Sequence, residues 1–596
     1  MVARDRSSPN RQPSVRRRAN PIGAAREALF ALWYRCPVHR LLRGGRVPAA
    51  LHAQVQEPWP GDSAHGRLVV DGRFVWNGHS FHHARAHLRG KTRWAFDWLP
   101  DDFPDDGLAA LHGFAWLRDL RAVGGDAARA AARARVADWI AALGTWQTPP
   151  YRADVTASRI AAWISQYDFL VAGADERFVL DLRHSLAYQA RLLARTRLHK
   201  AALETRFTIL KGLVYADALL FPPGKRLAHV LAQLTAEIAG QIKADGGHVS
   251  RSPECQLAVL RDLIDIRGAL RAANAEIPEA LTQAIDRAAP MVRFFRHGDG
   301  GLALFNDTHE GESWLIDVVL TQSEARGKPL GSAPHTGFER VQAGRAVVLL
   351  DAGVPEPKAV AHAFAGTLAM EFSVGKERFI VNCGAGAIEE PRWAAALRAT
   401  AAHSTLNLAD ANSTEIAFTR LGTRIRQGVR AVLGSRDEAD GAVWVEKTHD
   451  GYAERFGFLH RRKLYLASAG DDLRGEDALV PDPDGRGARH RRKHRRFAVR
   501  FHLHPSVKAT PLQDGGVLLR LPSGSGWRFA ARGGDVRIEE SVYFGGANPR
   551  RTSQVVVDGT VNPEGAAVKW AFHRVPERGA ESRAAEPDEA PPGADV

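Results

Sequence analysis

Residues 227–264, LAHVLAQLTAEIAGQIKADGGHVSRSPECQLAVLRDLI, decide the fold of the first half of this chain. Large apolar residues recur three and four positions apart, which is the spacing of one helix face; they are Leu227, Val230, Leu231, Leu234, Ile238 and Ile242. The DGG run at 245–247 ends this helix, because glycine accepts the backbone conformation of a helix end. Ser252 and Pro253 begin the next helix with a capping side chain and a residue suited to the first turn. The stretch therefore predicts a pair of antiparallel helices.

The same spacing extends from about residue 106 to about residue 295. It recurs in two further sets of apolar residues: Val136, Trp139, Ile140 and Leu143, then Ile160, Trp163, Ile164 and Tyr167. A run of helix pairs joined by short loops can curl into a solenoid or close into a toroid. The pattern by itself leaves both architectures open.

After about residue 300 the apolar period changes from 3.6 to 2. Short alternating segments such as RAVVLLDAG (345–353) and RFAVRFHLHP (496–505) are separated by Gly, Asp and Pro. This pattern predicts an antiparallel sandwich or another layered β domain. Because helices and strands are segregated and do not alternate, the pattern excludes a doubly wound α/β enzyme.

Composition narrows the class of protein further. The 596 residues include 81 Lys+Arg and 67 Asp+Glu, for a formal net charge of +14. Such an excess favours an acidic partner: nucleic acid, anionic lipid or acidic polysaccharide. The three cysteines, Cys36, Cys255 and Cys383, are far apart and form no CxxC, which argues against a disulfide framework and a zinc ribbon.

Several motifs are missing from the sequence. It has no phosphate-binding GxxxxGK[ST] loop, no HExxH and no GxSxG, so nucleotide-driven chemistry, zincin proteolysis and α/β-hydrolase chemistry lose their support. The basic run RGARHRRKHRR (486–496) lacks interleaved aromatic residues, so we interpret it as a solvated loop and expect no nucleic-acid partner. No uninterrupted apolar run of about 18 residues occurs, which predicts no transmembrane segment.

Several segments, taken in order, resemble the heparinase II/III-like polysaccharide lyases. They are DGGHVSRSPECQLAVLRDLIDIR (245–267), HGDGGLALFND (297–307), HTGFERVQAGRAVVLLDAG (335–353), AHAFAGTLAMEFSVGKERFIVNCG (361–384), RATAAHSTLNL (398–408) and HDGYAERFGFLHRRKLYL (449–466). The resemblance covers roughly residues 110–505. It implies an N-terminal (α/α) toroid followed by a C-terminal antiparallel β-sandwich, with a cleft between them and activity on a glycan that contains uronic acid.

With this resemblance the chain divides into five parts. We expect a disordered basic tail (1–20), a lead-in that packs on the toroid (21–105), the toroid (106–325), the β-sandwich domain (326–576) and a disordered acidic tail (577–596).

Cleavage of such a glycan by β-elimination sets clear chemical demands. A base removes the C5 proton of the uronate, an acid protonates the leaving oxygen, and a positive or amide group neutralises the carboxylate. Histidine and tyrosine suit the first two tasks, and arginine recognises carboxylates with two parallel hydrogen bonds.

The resemblance carries some of these roles onto the β half. His362 matches the first histidine of the family's His-x-His-x-Asp pattern and is a candidate base or carboxylate neutraliser, whereas the next two positions of the pattern are Phe364 and Gly366. Asn382 occupies the position of an aspartate that ligates metal in some members, and we assign it to substrate binding. His403 matches the histidine of a His-Asn-Thr motif and is a second catalytic candidate. With so few ligands left, we expect no tightly bound metal and no other cofactor.

The helical half departs further from the family. Cys255 and Gln256 stand where many members carry Tyr-His, and Glu204 stands where they carry an asparagine, which leaves Glu204 as a substrate-binding candidate. His248, a catalytic candidate, and Arg251, a substrate-binding candidate, lie at the entrance of the helix that begins at Pro253, where backbone amides favour an anion. Tyr452, in a turn beside a strand, is the candidate replacement acid.

The sequence thus predicts a polysaccharide lyase that cleaves an acidic glycan by β-elimination with an altered acid/base set. The alternative is a non-catalytic or weakly active protein of envelope or exopolysaccharide assembly that binds an acidic glycan. The resemblance favours the cell envelope or periplasm, but the basic N-terminal stretch makes a poor signal peptide, so a cytoplasmic location stays open. The oligomeric state stays open as well.

Overall fold

The structure is a computed structural model. It describes residues 45–576 except 77–78, 83, 89–90, 96–97, 101–102, 144–148, 386–390, 420–421, 492 and 547. The two predicted disordered tails lie outside the described residues. Helices fill the first half and strands the second, as the change of apolar period predicts.

The described helices of the first half end at Gln322. In chain order they are α1 (Ser63–Val70), α2 (Asp105–Gly113), α3 (Leu117–Val123), α4 (Gly125–Leu143), α5 (Ala153–Ser165), α6 (Tyr167–Val171), α7 (Glu176–Leu193), α8 (Arg206–Val214), α9 (Lys225–Gln241), α10 (Pro253–Ala272), α11 (Glu279–Phe294) and α12 (Ser313–Gln322). Short 3-10 turns lie at Leu198–Lys200 and Leu203–Thr205, and a π-helix at Tyr215–Leu220 continues α8.

Three of these helices form the inner wall of the toroid. In α5, α8 and α10 most residues are buried on every side, as expected for helices with no face to solvent. Helices α7, α9 and α11 pack outside them and keep the one-sided apolar stripe seen in the sequence. A Cβ atom on Gly212 of α8 would lie 2.5 Å from the Ala157 Cα of α5, so glycine is needed where these two inner helices cross.

The segment RLVVDGRFVW (67–76) differs from its prediction. The short apolar runs on either side of Asp71 and Gly72 predict two strands, but RLVV forms the end of α1 and only Arg73–Trp76 is a strand. Asp62 caps this helix by accepting hydrogen bonds from the Ala64 and His65 amides, which commits the apolar run to a helix. The capping residue therefore outweighs the β preference of the two valines.

The described strands are antiparallel throughout. They are β1 (Arg73–Trp76), β2 (His79–His82), β3 (Ala84–Leu88), β4 (Lys91–Ala95), β5 (Ser332–Ala333), β6 (Phe338–Ala343), β7 (Ala346–Asp351), β8 (Met370–Val374), β9 (Glu377–Val381), β10 (Leu406–Leu408), β11 (Glu415–Thr419), β12 (Gly422–Gln427), β13 (Val432–Ala439), β14 (Ala442–His449), β15 (Phe458–Leu466), β16 (Asp472–Pro481), β17 (Arg495–Leu503), β18 (Lys508–Pro511), β19 (Val517–Arg520), β20 (Gly526–Arg532), β21 (Asp535–Tyr543), β22 (Arg550–Val561) and β23 (Ala566–Arg574). Short helices α13 (Pro391–Leu397) and α14 (Ala453–Phe456) interrupt them.

Two large sheets form the sandwich. One has the order β21-β22-β17-β9-β8-β7-β6-β5, with β10 added on β17; the other has the order β13-β14-β15-β16-β23-β20-β19-β18. Their inner faces meet through aromatic rings: Phe372 of the first sheet lies 5.5 Å from Trp527 of the second, and Phe501 lies 4.9 Å from Trp570. The alternating apolar residues of the sequence are therefore the two halves of one core.

The helical and β halves are joined by buried polar contacts. Arg340 of β6 donates to the carbonyl oxygens of Phe294 and Arg296 at the end of α11, at 2.7 and 2.8 Å. Residues 302–312, which we call the junction loop, also cross between the halves: the Tyr543 hydroxyl donates to the Glu310 carboxylate, and His504 Nε2 lies 3.6 Å from the same group. These contacts hold the two halves against each other.

Candidate functional site

His362 and Asp307 form an ion pair where the halves meet. His362 ends the 3-10 turn Pro357–His362, and its Nδ1 lies 3.2 Å from the Asp307 Oδ2 of the junction loop. The His362 side chain is 19% exposed and that of Asp307 36%, so the pair borders solvent. It is the candidate dyad of the site.

The junction loop has a special backbone at this point. Asn306 and Asp307 have positive φ angles of 48° and 61°, a left-handed conformation that Asn and Asp tolerate better than most residues. Asn306 Nδ2 donates to the Arg251 carbonyl oxygen at 3.0 Å, which holds the turn. The FND sequence at 305–307 therefore positions the Asp307 carboxylate toward His362.

The charge state of His362 follows from its neighbours. Burial lowers its pKa, but the contact with Asp307 and the charge of Glu204 outweigh burial, and the net pKa is raised. Burial likewise raises the pKa of Asp307, while His362, Arg398 and His309 outweigh it and leave that pKa lowered. His362 Nε2 has no hydrogen-bond partner among the described residues. The pair is thus a cation and a carboxylate, with one buried N–H donor that has no partner among the described residues.

Glu204 faces this pair from the toroid. It lies in the 3-10 turn Leu203–Thr205, which packs against the turn that carries His362. The Glu204 side chain is half-buried, and no hydrogen bond or ion pair involves it among the described residues. Of the three substrate-binding candidates, it is the one whose side chain is not engaged in hydrogen bonds or ion pairs with described residues.

Two more groups flank the pair. Arg398 Nη2 donates to the Ala361 carbonyl oxygen at 2.6 Å, and its guanidinium lies 5.5 Å from the Phe364 ring. The guanidinium also interacts electrostatically with the Asp307 carboxylate. On the other side His309 Nδ1 lies 2.8 Å from Glu254 Oε2, and the pKa of His309 is raised because this contact outweighs burial. Both cations add positive charge to the cleft wall.

His248 lies inside the helical half. It is buried, with Nδ1 2.8 Å from the Ser250 hydroxyl and Nε2 2.8 Å from the Gln241 side-chain oxygen. Burial lowers its pKa to about 3, so the ring is neutral. Both ring nitrogens are already used within the fold.

Arg251 is buried against the β half. Its Nε donates to the Thr336 carbonyl oxygen at 2.8 Å, and its Nη2 contacts the Asp351 carboxylate. The guanidinium also lies 4.8 Å from the Phe338 ring. These contacts tie α10 to β7, and they leave Arg251 little capacity for a substrate carboxylate.

His403 and Asn382 are buried under the cleft. His403 Nδ1 lies 2.8 Å from the Ala399 carbonyl oxygen, and burial lowers its pKa to about 4. Asn382 donates to Glu371 Oε1 at 3.1 Å and accepts from the Ser404 amide at 3.0 Å. The Asn382 side chain therefore connects neighbouring segments, whereas that of His403 bonds within its own turn.

Tyr452 is fully buried in the sandwich. Its hydroxyl donates to the Leu406 carbonyl oxygen at 3.0 Å, and burial raises its pKa well above the ordinary value. A general acid must reach the leaving oxygen. This hydroxyl is separated from the cleft by the sheet that it supports.

The structure therefore brings together two of the seven candidates, His362 and Glu204, and places the other five in internal contacts. It adds Asp307 and Arg398, which the sequence analysis did not single out. Asp307 could have been chosen as a candidate, because it belongs to the FND run that ends the family-like segment 297–307. The partnership with His362 was not visible, because 55 residues separate the two.

In the part of the chain that the structure describes, no three His, Cys, Asp or Glu side chains are placed to hold a metal ion. No helix of that part is both long enough and apolar enough to cross a bilayer.

Comparisons with known proteins bear on the family. The model of the heparinase II/III-like C-terminal domain matches residues 325–571. The FtsZ-localized protein C of Caulobacter vibrioides is 34% identical over 553 residues, covering 90% of this chain and 92% of that protein.

Two solved structures share the fold. Heparinase III superposes with a TM-score of 0.68 at 15% identity, covering 92% of this chain and 89% of its own. A heparan sulfate lyase HepC mutant of Pedobacter heparinus gives 0.61 at 15% identity, covering 86% and 83%. The predicted toroid followed by a β-sandwich is confirmed. The chain belongs to the heparinase II/III-like family.

Proposed function

We propose that this chain is a binding protein on a polysaccharide-lyase fold, which holds an acidic glycan at the His362–Asp307 pair and cleaves it poorly or not at all. One observation carries the proposal: of the four candidate catalytic side chains, His362 is the one that is partly exposed, and its pKa is raised. A histidine that stays protonated recognises a carboxylate better than it removes a proton.

The contacts around His362 favour an anion. Its Nε2 is a buried donor without a partner among the described residues, so a ligand reaches it once neighbouring side chains move, and a hydrogen bond to a charged acceptor then contributes roughly 1.5–3 kcal/mol. Arg398 and His309 add positive charge nearby. A uronate carboxylate supplies the acceptor that this arrangement lacks.

Elimination needs more than recognition. It needs a base for the C5 proton and an acid for the leaving oxygen. The imidazoles of His248 and His403 and the phenol of Tyr452 are bonded inside the fold. These contacts support binding over turnover.

A lyase is the second candidate, and Glu204 favours it. This carboxylate faces His362 and has no partner in the described part of the cleft. In such a lyase His362 would neutralise the uronate carboxylate, and Glu204 would remove the C5 proton.

The location proposed for this chain follows its relative. The name of the Caulobacter vibrioides protein places that protein with FtsZ, and we extend the same location to this chain on the strength of 34% identity along nearly the whole length. The cell-envelope prediction stays a prediction.

Retention on immobilised acidic polysaccharides, read together with absorbance of unsaturated products, separates the two candidate functions. Binding predicts salt-sensitive retention on at least one glycan, no gain in absorbance, and roughly tenfold weaker retention of His362→Gln. The matched control is His229→Gln on the exposed face of α9.

The outcomes differ for each candidate. No retention on any glycan would overturn the binding proposal. Products that accumulate with wild type and disappear with Glu204→Gln would establish the lyase instead.

A fluorescent fusion in Caulobacter vibrioides cells checks the location. We expect the fusion to coincide with labelled FtsZ. A uniform distribution in cells with an intact FtsZ pattern would refute the proposed location.

A further inference from the structure

A polar cavity lies inside the toroid, apart from the His362 cleft. It has a volume of about 250 Å³ and is lined by α5, α8 and α10, with Glu57 and Trp59 from the segment before α1. A second cavity of about 240 Å³ adjoins it and shares Glu57, Trp59 and Arg118. The volume is slightly below the range of pockets for drug-sized ligands, roughly 300–1,000 Å³, and suits a small molecule.

The acidic side of the cavity is held in place by donors. Lys211 Nζ lies 2.5 Å from Asp262 Oδ1 and 3.2 Å from Asp265 Oδ2. The Thr208 hydroxyl donates to Asp262 Oδ2 at 2.6 Å, and the Trp59 indole N–H donates to Asp265 Oδ1 at 2.8 Å. Both carboxylates are therefore fixed in orientation, with lone pairs left for a ligand.

Unlike Lys211, Asp262 and Asp265, Arg261 is not held by hydrogen bonds in this cavity. Its guanidinium lies 5.0 Å from the Trp59 ring, and none of the described residues gives it a hydrogen bond or an ion pair. Burial and the neighbouring Arg118 lower its pKa. An arginine has five N–H donors, and because the fold does not use those of Arg261, a ligand in the cavity can accept from them.

The charges of the lining balance. Three cations, Lys211, Arg118 and Arg261, face three carboxylates, Glu57, Asp262 and Asp265. A charged ligand would disturb this balance, whereas a neutral ligand leaves it intact. Because the wall carries both donors and acceptors, a ligand that donates and accepts at several points fits it, as a polyhydroxylated molecule does.

The backbone beside the cavity is unusual as well. The π-helix Tyr215–Leu220 begins at Tyr215, which lines the cavity. Single π turns inside helices occur frequently at functional sites. Here the turn brings a fully buried phenol to the cavity wall.

We propose that this toroid cavity binds one neutral sugar ring, with Arg261, Asp262 and Asp265 bonded to its hydroxyl groups. The ring is either a free monosaccharide or the end of a chain, since the hydroxyl chemistry is the same. The cavity is a separate site, because none of His362, Asp307 and Glu204 lines it. It does not depend on the function proposed for His362.

Saturation-transfer NMR titration of the full chain tests the proposal. The probes are glucose, galactose, mannose and N-acetylglucosamine, with glucuronic acid and glucosamine as the charged counterparts. We expect at least one neutral sugar to bind saturably, and binding to be unchanged in His362→Gln. A disaccharide that binds as tightly as its monosaccharide would identify a chain end as the natural ligand.

Two variants locate the binding. Arg261→Gln removes the free guanidinium and should weaken binding at least about tenfold. Ala162→Leu fills the cavity with apolar volume and should abolish binding in a folded protein. Arg177→Gln and Ala134→Leu make the same changes on exposed helix faces and should bind as wild type.

Three results would overturn the inference. They are no binding of any neutral sugar to wild type, tighter binding of the charged counterparts, and undiminished binding by the Ala162→Leu protein.

Discussion

Arg251 and Asp351 form a buried ion pair that fastens the toroid to the β-sandwich. Both side chains are 3% exposed, and the guanidinium also bonds the carbonyl oxygens of Thr336 and Gly337. Arg251 has a φ of 59°, a left-handed conformation that is costly for a residue with a long side chain. The contacts compensate for this backbone strain, so the role of the pair is structural: it links the toroid to the β-sandwich.

Replacing Arg251 by Met should destabilise the protein by about 3–5 kcal/mol, because Asp351 would stay buried without its partner. Urea unfolding measures the change in the free energy of unfolding. Arg271→Met is the control: its pair with Glu324 is half exposed, and its loss should cost less than about 1 kcal/mol. Equal losses for the two variants would contradict the structural role of Arg251.

Gly212→Ala should lower the melting temperature, because the new Cβ would lie 2.5 Å from the Ala157 Cα across the crossing of α5 and α8. Gly240→Ala in α9 meets nothing within 4 Å and should be stabilising by about 0.5–1 kcal/mol. Thermal unfolding compares the two. A stable Gly212→Ala protein would mean that the inner helices can move apart.

Glycan retention should weaken as the pH rises. The pKa of His362 is raised above 6.5, so its positive charge is complete below that pH and is lost as the pH passes through the raised value. The pKa of Asp307 is lowered, so its charge does not change in this range. Retention measured from pH 6 to 9 should decline for wild type, and the decline should be smaller in His362→Gln, in which His309, whose pKa is also raised, still titrates. Identical profiles would remove His362 from the binding site.

Acid should destabilise the fold through its buried histidines. Burial lowers the pKa of His248 and His502 to about 3 and that of His403 to about 4, whereas all three bind protons below about 6.5 once unfolded. Each can therefore reduce the free energy of unfolding by up to about 1.4 kcal/mol per pH unit between pH 6.5 and 4. Urea unfolding over this range should show the loss; a flat profile would contradict the assigned neutral states.

Tyr452→Phe should cost about 1 kcal/mol, since it removes one buried hydrogen bond to the Leu406 carbonyl oxygen. Glycan retention should stay unchanged, because the hydroxyl lies inside the sandwich. A variant as stable as wild type that no longer binds or cleaves a glycan would restore Tyr452 as a functional group.

Much of the fold follows from local pattern. The stripe of α9 and the start of α10 were visible in the sequence, and Ser252 does cap α10 by accepting from the Cys255 amide. The toroid needed the family resemblance, because helix spacing does not fix how pairs close. The wrong strand at RLVV shows that one capping aspartate can outweigh β preference.

The candidate site was harder to predict for a physical reason. Which histidine stays near solvent depends on contacts between distant segments. His403 packs so closely on Gly366 that a Cβ there would lie 2.8 Å from its ring, whereas His362 meets Asp307 across the junction. Residue type and motif position carry no information about such burial.

The junction loop limits movement between the two halves. Asp307 holds His362, and Glu310, three residues later, holds Tyr543, so a hinge motion of the halves would have to break both contacts at once. The glycan proposed above would then meet two halves at a fixed separation, and selection among glycans would depend on their width more than on closure of the halves around them.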